Sequence, residues 1–297
     1  MNKEIQKLKK DLNAVIVAHN YQKPEVQDVA DYVGDSLELS RLAATLDAPV
    51  IVFAGVRFMA ESAKILSPQK TVLLPEKEAG CPLADMITIP QVEHLKKEHP
   101  KAAVVTYINS NIEIKAISDI CCTSANALKV VESLDNDEVI FIPDRNLGHY
   151  TQKFTKKKLY FNEGYCIVHE SLHLEDLKKM KAKYPEAKVI AHPECPMSIL
   201  DMADSVESTS GMTRYVKESK ANEFIIATEV GMNYRLAKQF PEKKFYSIEP
   251  EMVCRNMKKT SLESVYNALK YKQYEIILEP EMIEKAKNTL QKMIDLK

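Results

Sequence analysis

Three cysteines, Cys81, Cys166 and Cys254, are the side chains of this sequence best suited to hold a metal, because each closes one of three similar segments. The segments are Ala14–Cys81, Ala102–Cys166 and Ala187–Cys254, and each opens on a short apolar run: AVIVAHNY, AVVTYINS and AKVIAHPE. Polar side chains follow at matched positions: His19 and Tyr21, Tyr107 and Asn109, His192 and Glu194. A hydroxyl comes 17 residues after the first of each pair, at Ser36, Ser124 and Thr209. The cysteines follow those hydroxyls by 45, 42 and 45 residues. Self-similarity at a period of about 85 residues fixes an architecture before any single motif does. Three equivalent thiols and three equivalent polar loops imply a pseudo-threefold molecule with one central site.

The thiols are too far apart in sequence for a local CxxC pair, so their equivalence in the repeat is what makes them candidate ligands. Three thiolates around such an axis suit Zn²⁺ with an open position, or three irons of a [4Fe-4S] cluster whose fourth iron is free to act as a Lewis acid. The opposite reading is three packing thiols in corresponding loops, since free cysteine is often buried. Cys195 falls after a first strand, away from the ligand loops, and Cys121 and Cys122 precede a capping position and read as helix-packing thiols. Glu194 is the one carboxylate in the matched set and is the candidate general base, with Tyr21 and Tyr107 as proton carriers. Either tyrosine could equally be a packing residue with its hydroxyl satisfied. His19 and His192 are counterparts at strand ends, whereas His94, His99, His149, His169 and His173 read as structural or surface residues.

These groups need elements to hold them. In the first repeat, Ala14–Ala18 is a continuous apolar run short enough for a buried strand. Pro24 suits a first helical turn, and helical spacing continues through Val33 to Gly34. Asp35-Ser36 offers an N-cap to a helix over Leu37–Leu46, followed by strands at Val50–Phe53 and Thr71–Leu74 around a helix near Phe58–Leu66. The other repeats show the same order, with first strands at Ala103–Tyr107 and Lys188–Ala191 and polar turns at Asp144-Arg145-Asn146 and Glu229-Val230-Gly231. Alternating strands and helices imply parallel sheets covered on both faces. The expectation is an α/β fold of three pseudo-threefold-related α/β/α domains, with short parallel sheets around a central active site. The boundaries fall at residues 1–86, 87–171 and 172–297, the last including C-terminal helices. In such units functional groups gather beyond the carboxyl ends of strands. Ser36, Ser124 and Thr209 then lie at helix starts, where free N–H groups favour anions.

Composition narrows the function classes. Forty-five per cent hydrophobic and 28% charged residues describe a globular protein with ample core. A net charge of −1, with basic residues spread widely, favours neither nucleic acid nor a membrane surface, and Lys153–Lys158 reads as a solvated connection. Seven glycines and no GxGxxG or GxxxxGK[ST] argue against standard dinucleotide and P-loop sites. Six cysteines behind a charged N-terminus unlike a secretory signal point to a cytoplasmic protein without a disulfide framework. The segments Arg57–Met59 and Arg145–His149 are candidate gating loops.

The segments AHNYQ, GDSLELS, FMAESAKIL, TYINS, CTSAN, PDRNLG, HPEC, STSGM, ATEVGM and CRNMK, spread over essentially the whole chain, resemble the quinolinate synthase family of bacteria and archaea. The resemblance implies one [4Fe-4S] cluster per chain, held by Cys81, Cys166 and Cys254. It implies condensation of iminoaspartate (iminosuccinate) with dihydroxyacetone phosphate to quinolinate, phosphate and two waters, in NAD biosynthesis. Partners would be those small molecules, with transient supply from an aspartate-oxidising enzyme and no nucleic acid or membrane. Against that chemistry, Ser36, Ser124 and Thr209 are expected to bind carboxylate or phosphate oxygens, with His19, Asn109 and His192 fixing orientation. Glu194 would remove protons, assisted by Tyr21 and Tyr107. The competing readings are a zinc lyase or aldolase, which would be colourless, and an iron–sulfur sensor, which lacks a visible output surface.

Overall fold

The computed structural model describes residues 1–296. Among the described residues twelve strands form three separate four-stranded sheets, all parallel. The first contains β1 (Ala14–His19), β2 (Tyr32–Gly34), β3 (Val50–Ala54) and β4 (Thr71–Leu73), in the order β2-β1-β3-β4. The second holds β5 (Ala103–Tyr107), β6 (Ile120–Cys122), β7 (Glu138–Ile142) and β8 (Lys158–Phe161), ordered β6-β5-β7-β8. The third holds β9 (Lys188–Ala191), β10 (Ser205–Val206), β11 (Glu223–Ala227) and β12 (Lys244–Ser247), ordered β10-β9-β11-β12. The α/β class and the threefold repetition are as the sequence implies. No described helix is long and apolar enough to cross a membrane.

The apolar runs become central strands because helices cover both faces of each sheet. In the first repeat β3 is buried along its whole length. The sequence pattern had missed one element per repeat, the short edge strands β2, β6 and β10. The helix starting at Pro24 stops at Val29, and the chain re-enters the sheet at Tyr32. A repeated aspartate sets each re-entry. Asp31, Asp119 and Asp204 accept the N–H groups of Ile16, Val104 and Val189 at 2.8, 2.7 and 2.8 Å, and each returns its own N–H to the same residue's carbonyl. Cys121 and Cys122, read as helix-packing thiols, lie on β6, which packs against helices Ala127–Glu132 and Pro280–Asp295.

In the order β2-β1-β3-β4 the chain leaves β1 to one side and resumes on the other, which opens a crevice beyond the carboxyl ends of β1 and β3. The same holds for β5/β7 and β9/β11, so three crevices can face one centre. The C-terminal segments brace the first two sheets. Helix Leu262–Tyr271 packs on helix Asn2–Leu12, and helix Pro280–Asp295 lies across helices Arg57–Leu66 and Ile112–Ile117. Between them, Tyr274–Ile276 runs antiparallel to β4, with Leu74 and Tyr274 exchanging N–H···O bonds of 2.9 and 3.1 Å.

Candidate functional site

All twelve side chains singled out from the sequence line one cavity of about 600 Å³ where the three crevices meet. The first-strand pairs His19/Tyr21, Tyr107/Asn109 and His192/Glu194 enter it beyond β1, β5 and β9, and Cys81, Cys166 and Cys254 enter from the loops that follow the last strands, β4, β8 and β12. Ser36, Ser124 and Thr209 complete the set. Their local settings differ. Ser36 and Thr209 open helices Ser36–Thr45 and Thr209–Glu218, capped by the side chains of Asp35 and Ser208. Ser124 instead lies in a turn ahead of helix Ala127–Glu132, so its hydroxyl is not at a helix start.

The His19 and His192 turns share a backbone device. Nδ1 of His19 accepts the N–H of Tyr21 at 3.1 Å, and Nδ1 of His192 accepts that of Glu194 at 3.4 Å. Burial pushes both imidazoles down to about 3, against the opposing field of Glu194, so each is neutral with its proton on Nε2. That Nε2 of His192 lies 3.2 Å from the Ser124 hydroxyl. Across another boundary between repeats, Asn20 donates to Thr209 Oγ1 at 2.8 Å. Gly231 lets the third repeat close against the first: a Cβ there would stand 2.9 Å from the Tyr21 Cα.

Glu194 is 3% exposed, and burial alone would favour its neutral form. The imidazoles of His192 and His169 and the Tyr107 hydroxyl outweigh burial and hold the carboxyl below the usual range. Asn109 Nδ2 stands 3.4 Å from Oε1. Burial, reinforced by Glu194, pushes the phenols of Tyr21 and Tyr107 well above 10, so both keep their protons.

Several participants escaped the sequence reading. His169, expected to be structural, is fully buried at the heart of the site: Nδ1 is 2.7 Å from Glu194 Oε2, off the line of a hydrogen bond, and Nε2 is 2.8 Å from Thr228 Oγ1. Thr228 Oγ1 is in turn 2.6 Å from the Tyr21 hydroxyl, which links Tyr21 to Glu194 through two intermediaries. Asn146 donates to the Glu194 carbonyl at 3.0 Å, and Arg255, directly after the third cysteine, is among the described residues the one lysine or arginine lining the cavity. Only the position of His169 three residues beyond Cys166 could have signalled it, and its repeat counterparts are Ala84 and Met257. The two segments read as gating loops are first turns of helices Arg57–Leu66 and Arg145–Gln152. Phe58 and Met59 are buried, and Arg145 is paired with Glu170 at 2.6 Å.

The three cysteines form no disulfide and are partly buried. Each sulfur is met by backbone N–H groups two or three residues onward: Leu83 and Ala84 for Cys81, His169 for Cys166, and Asn256 and Met257 for Cys254. Burial pushes the Cys81 thiol up to about 12 and the Cys166 thiol well above its ordinary value, so these sulfurs are protonated until a cation offsets the cost of charge. Soft donors converging on one cavity, each already supplied with amide donors, fit a thiolate-bound metal group. Among the described residues, Cys166, His169 and Glu194 are also a trio whose donor atoms lie within 4.8 Å of one another.

Residues 3–295 match the family described as "Quinolinate synthetase A protein". The chain is 52% identical over 297 residues to the quinolinate synthase of Caldicellulosiruptor saccharolyticus, covering 100% of this chain and 98% of that one. It is 50% identical over 295 residues to the quinolinate synthase of Alkaliphilus metalliredigens, covering 99% and 97%. The archaeal quinolinate synthase 2 of Methanosarcina acetivorans is 49% identical over 293 residues, covering 99% and 94%.

Proposed function

This chain belongs to the quinolinate synthase family, enzymes of NAD biosynthesis, and we propose that it condenses iminoaspartate with dihydroxyacetone phosphate. The products would be quinolinate, one phosphate and two waters. The observation that carries this reading is the convergence of three thiols and three polar turns on one cavity of about 600 Å³. We assign Cys81, Cys166 and Cys254 as holders of a [4Fe-4S] cluster, supported by their donor set and by the amide groups aimed at each sulfur. When bound, such a cluster supplies Lewis-acid chemistry at its iron without a cysteine.

The chain's own groups divide the remaining work. Ser36, Ser124, Thr209 and Asn109 offer hydrogen bonds to carboxylate and phosphate oxygens, and Arg255 adds a cation at the cavity wall. Neutral His19 and His192 direct Nε2–H inward and orient substrate oxygens. Glu194, ionised, takes the protons that must leave carbon for ring closure and aromatisation. Tyr107 and Tyr21 keep their protons and can donate them to departing oxygens. His169 and Thr228 carry protons between Tyr21 and Glu194. Burial around Glu194 excludes bulk water from these transfers.

The test is anaerobic purification followed by iron, sulfide and zinc analysis and a quinolinate assay. About four irons and four sulfides per chain are expected, lost on replacing Cys81, Cys166 or Cys254 by Ser and kept in Cys195→Ser. The proximity of Cys166, His169 and Glu194 favours a second reading, a zinc enzyme. One zinc per chain in a colourless, active protein would select it.

A further inference from the structure

The three cysteine loops share one backbone anchor and differ in a second. The carbonyl two residues before each cysteine, that of Ala79, Gly164 or Met252, accepts an N–H from Arg57, Arg145 or Val230 at 2.8, 2.8 and 2.9 Å. In the second and third repeats the residue before that donor is a fully buried acid, Asp144 or Glu229. Asp144 accepts the Cys166 N–H at 3.1 Å on Oδ2 and the Leu147 N–H at 2.8 Å on Oδ1. Glu229 accepts the Cys254 N–H at 3.1 Å on Oε1 and the Gly231 N–H at 2.7 Å on Oε2, with Lys258 Nζ 2.8 Å from Oε1. Each carboxylate therefore ties a cysteine to the start of the helix that follows β7 or β11. The corresponding residue of the first repeat is Val56, and among the described residues no acceptor meets the Cys81 N–H.

We propose that Asp144 and Glu229 are positioning residues that preset Cys166 and Cys254 as two fixed arms of the metal-holding site, and that Cys81 is the adjustable third arm. The metal-holding half of this statement rests on the three-thiol reading above. The physical basis is that a cysteine whose N–H is locked to a buried carboxylate loses the backbone freedom that would move its sulfur. Each acid also holds a second amide, that of Leu147 or Gly231, so the brace is fixed at two points, and groups that orient metal ligands tune both affinity and electronic properties. Cys81, tied through the Ala79 carbonyl two residues before it and not through its own N–H, can shift to accommodate a group as it is loaded or as substrate binds beside it.

Amide hydrogen exchange tests the arrangement without any variant. In wild-type protein the Cys81 amide should exchange at least about tenfold faster than those of Cys166 and Cys254. Asp144→Asn should free the Cys166 amide alone, and Glu229→Gln the Cys254 amide alone. In the anaerobically loaded protein, each variant should lose iron to a chelator about 10- to 100-fold faster and alter the electron paramagnetic resonance signal of the reduced group. Equal exchange at the three cysteine amides would overturn the proposal, as would iron loss within twofold of wild type with an unchanged signal in both variants. Protein that takes up no iron on reconstitution would instead overturn the three-thiol reading, and the amide pattern alone would then decide the bracing.

Discussion

The turn after β1 and the turn after β9 are the same piece of backbone carrying opposite chemistry. Each begins with a neutral histidine whose Nδ1 accepts the N–H two residues on. What differs is the side chain at that second position. Tyr21 keeps a proton because burial disfavours the phenolate and Glu194 adds to the effect. Glu194 gives its proton up, although burial opposes this, because two imidazoles and the Tyr107 hydroxyl surround it. A repeated frame thus places one proton donor and one proton acceptor at equivalent points, and Thr228 and His169 connect them. Repetition supplies position, and the local field supplies function.

The contrast breaks most severely if the acceptor is neutralised. Glu194→Gln should lower kcat by about 10²- to 10⁴-fold while metal content stays intact, and full turnover would remove Glu194 as the base. Tyr21→Phe removes the donor's proton and should cost about a hundredfold in kcat with little change in KM, which steady-state kinetics would read.

The shared histidines provide a test through stability. Their folded pKa values, about 3, lie below the unfolded value of 6.5, so the native state refuses protons that the unfolded chain accepts. Their contribution is fully present above pH 6.5 and is lost as pH falls towards 3. Together they should reduce the unfolding free energy of metal-free protein by about 2 kcal/mol between pH 6.5 and 5.5, measured by urea titration. No change would mean that the two turns are not both closed over neutral rings.

Cutting the connection between the arms should matter less. Thr228→Val deletes both hydroxyl contacts and should slow turnover about tenfold, the equivalent of roughly 1.4 kcal/mol. The smallest effect is expected at Ser124, which meets the Nε2 of His192. Ser124→Ala should raise KM about fivefold, consistent with one hydrogen bond of about 1 kcal/mol, and an unchanged KM would deny it an anion-binding role.

Much of the frame was legible because it is repeated. Apolar runs, capping residues and matched spacings brought twelve side chains to one cavity by register alone. The same logic overlooked Asp31, Asp119 and Asp204, although each follows the first polar residue of its repeat by 12 positions. Their edge strands are two or three residues long, too short for any hydrophobic alternation to register. His169 and Arg255 went unseen for the opposite reason, since neither has a chemical counterpart in the other repeats.

The sequence by itself determined the α/β repeat, the strands that carry the polar turns and the register of the cysteines, because strand and helix patterning and turn chemistry act over a few residues. Tertiary structure alone decided which groups touch and which keep their protons. Tyr21 meets Thr228 across 207 residues of chain, and Asn109 meets Glu194 across 85. Protonation depends on how much water is excluded and which charges stand opposite, and both exist only once three distant segments have closed around one cavity.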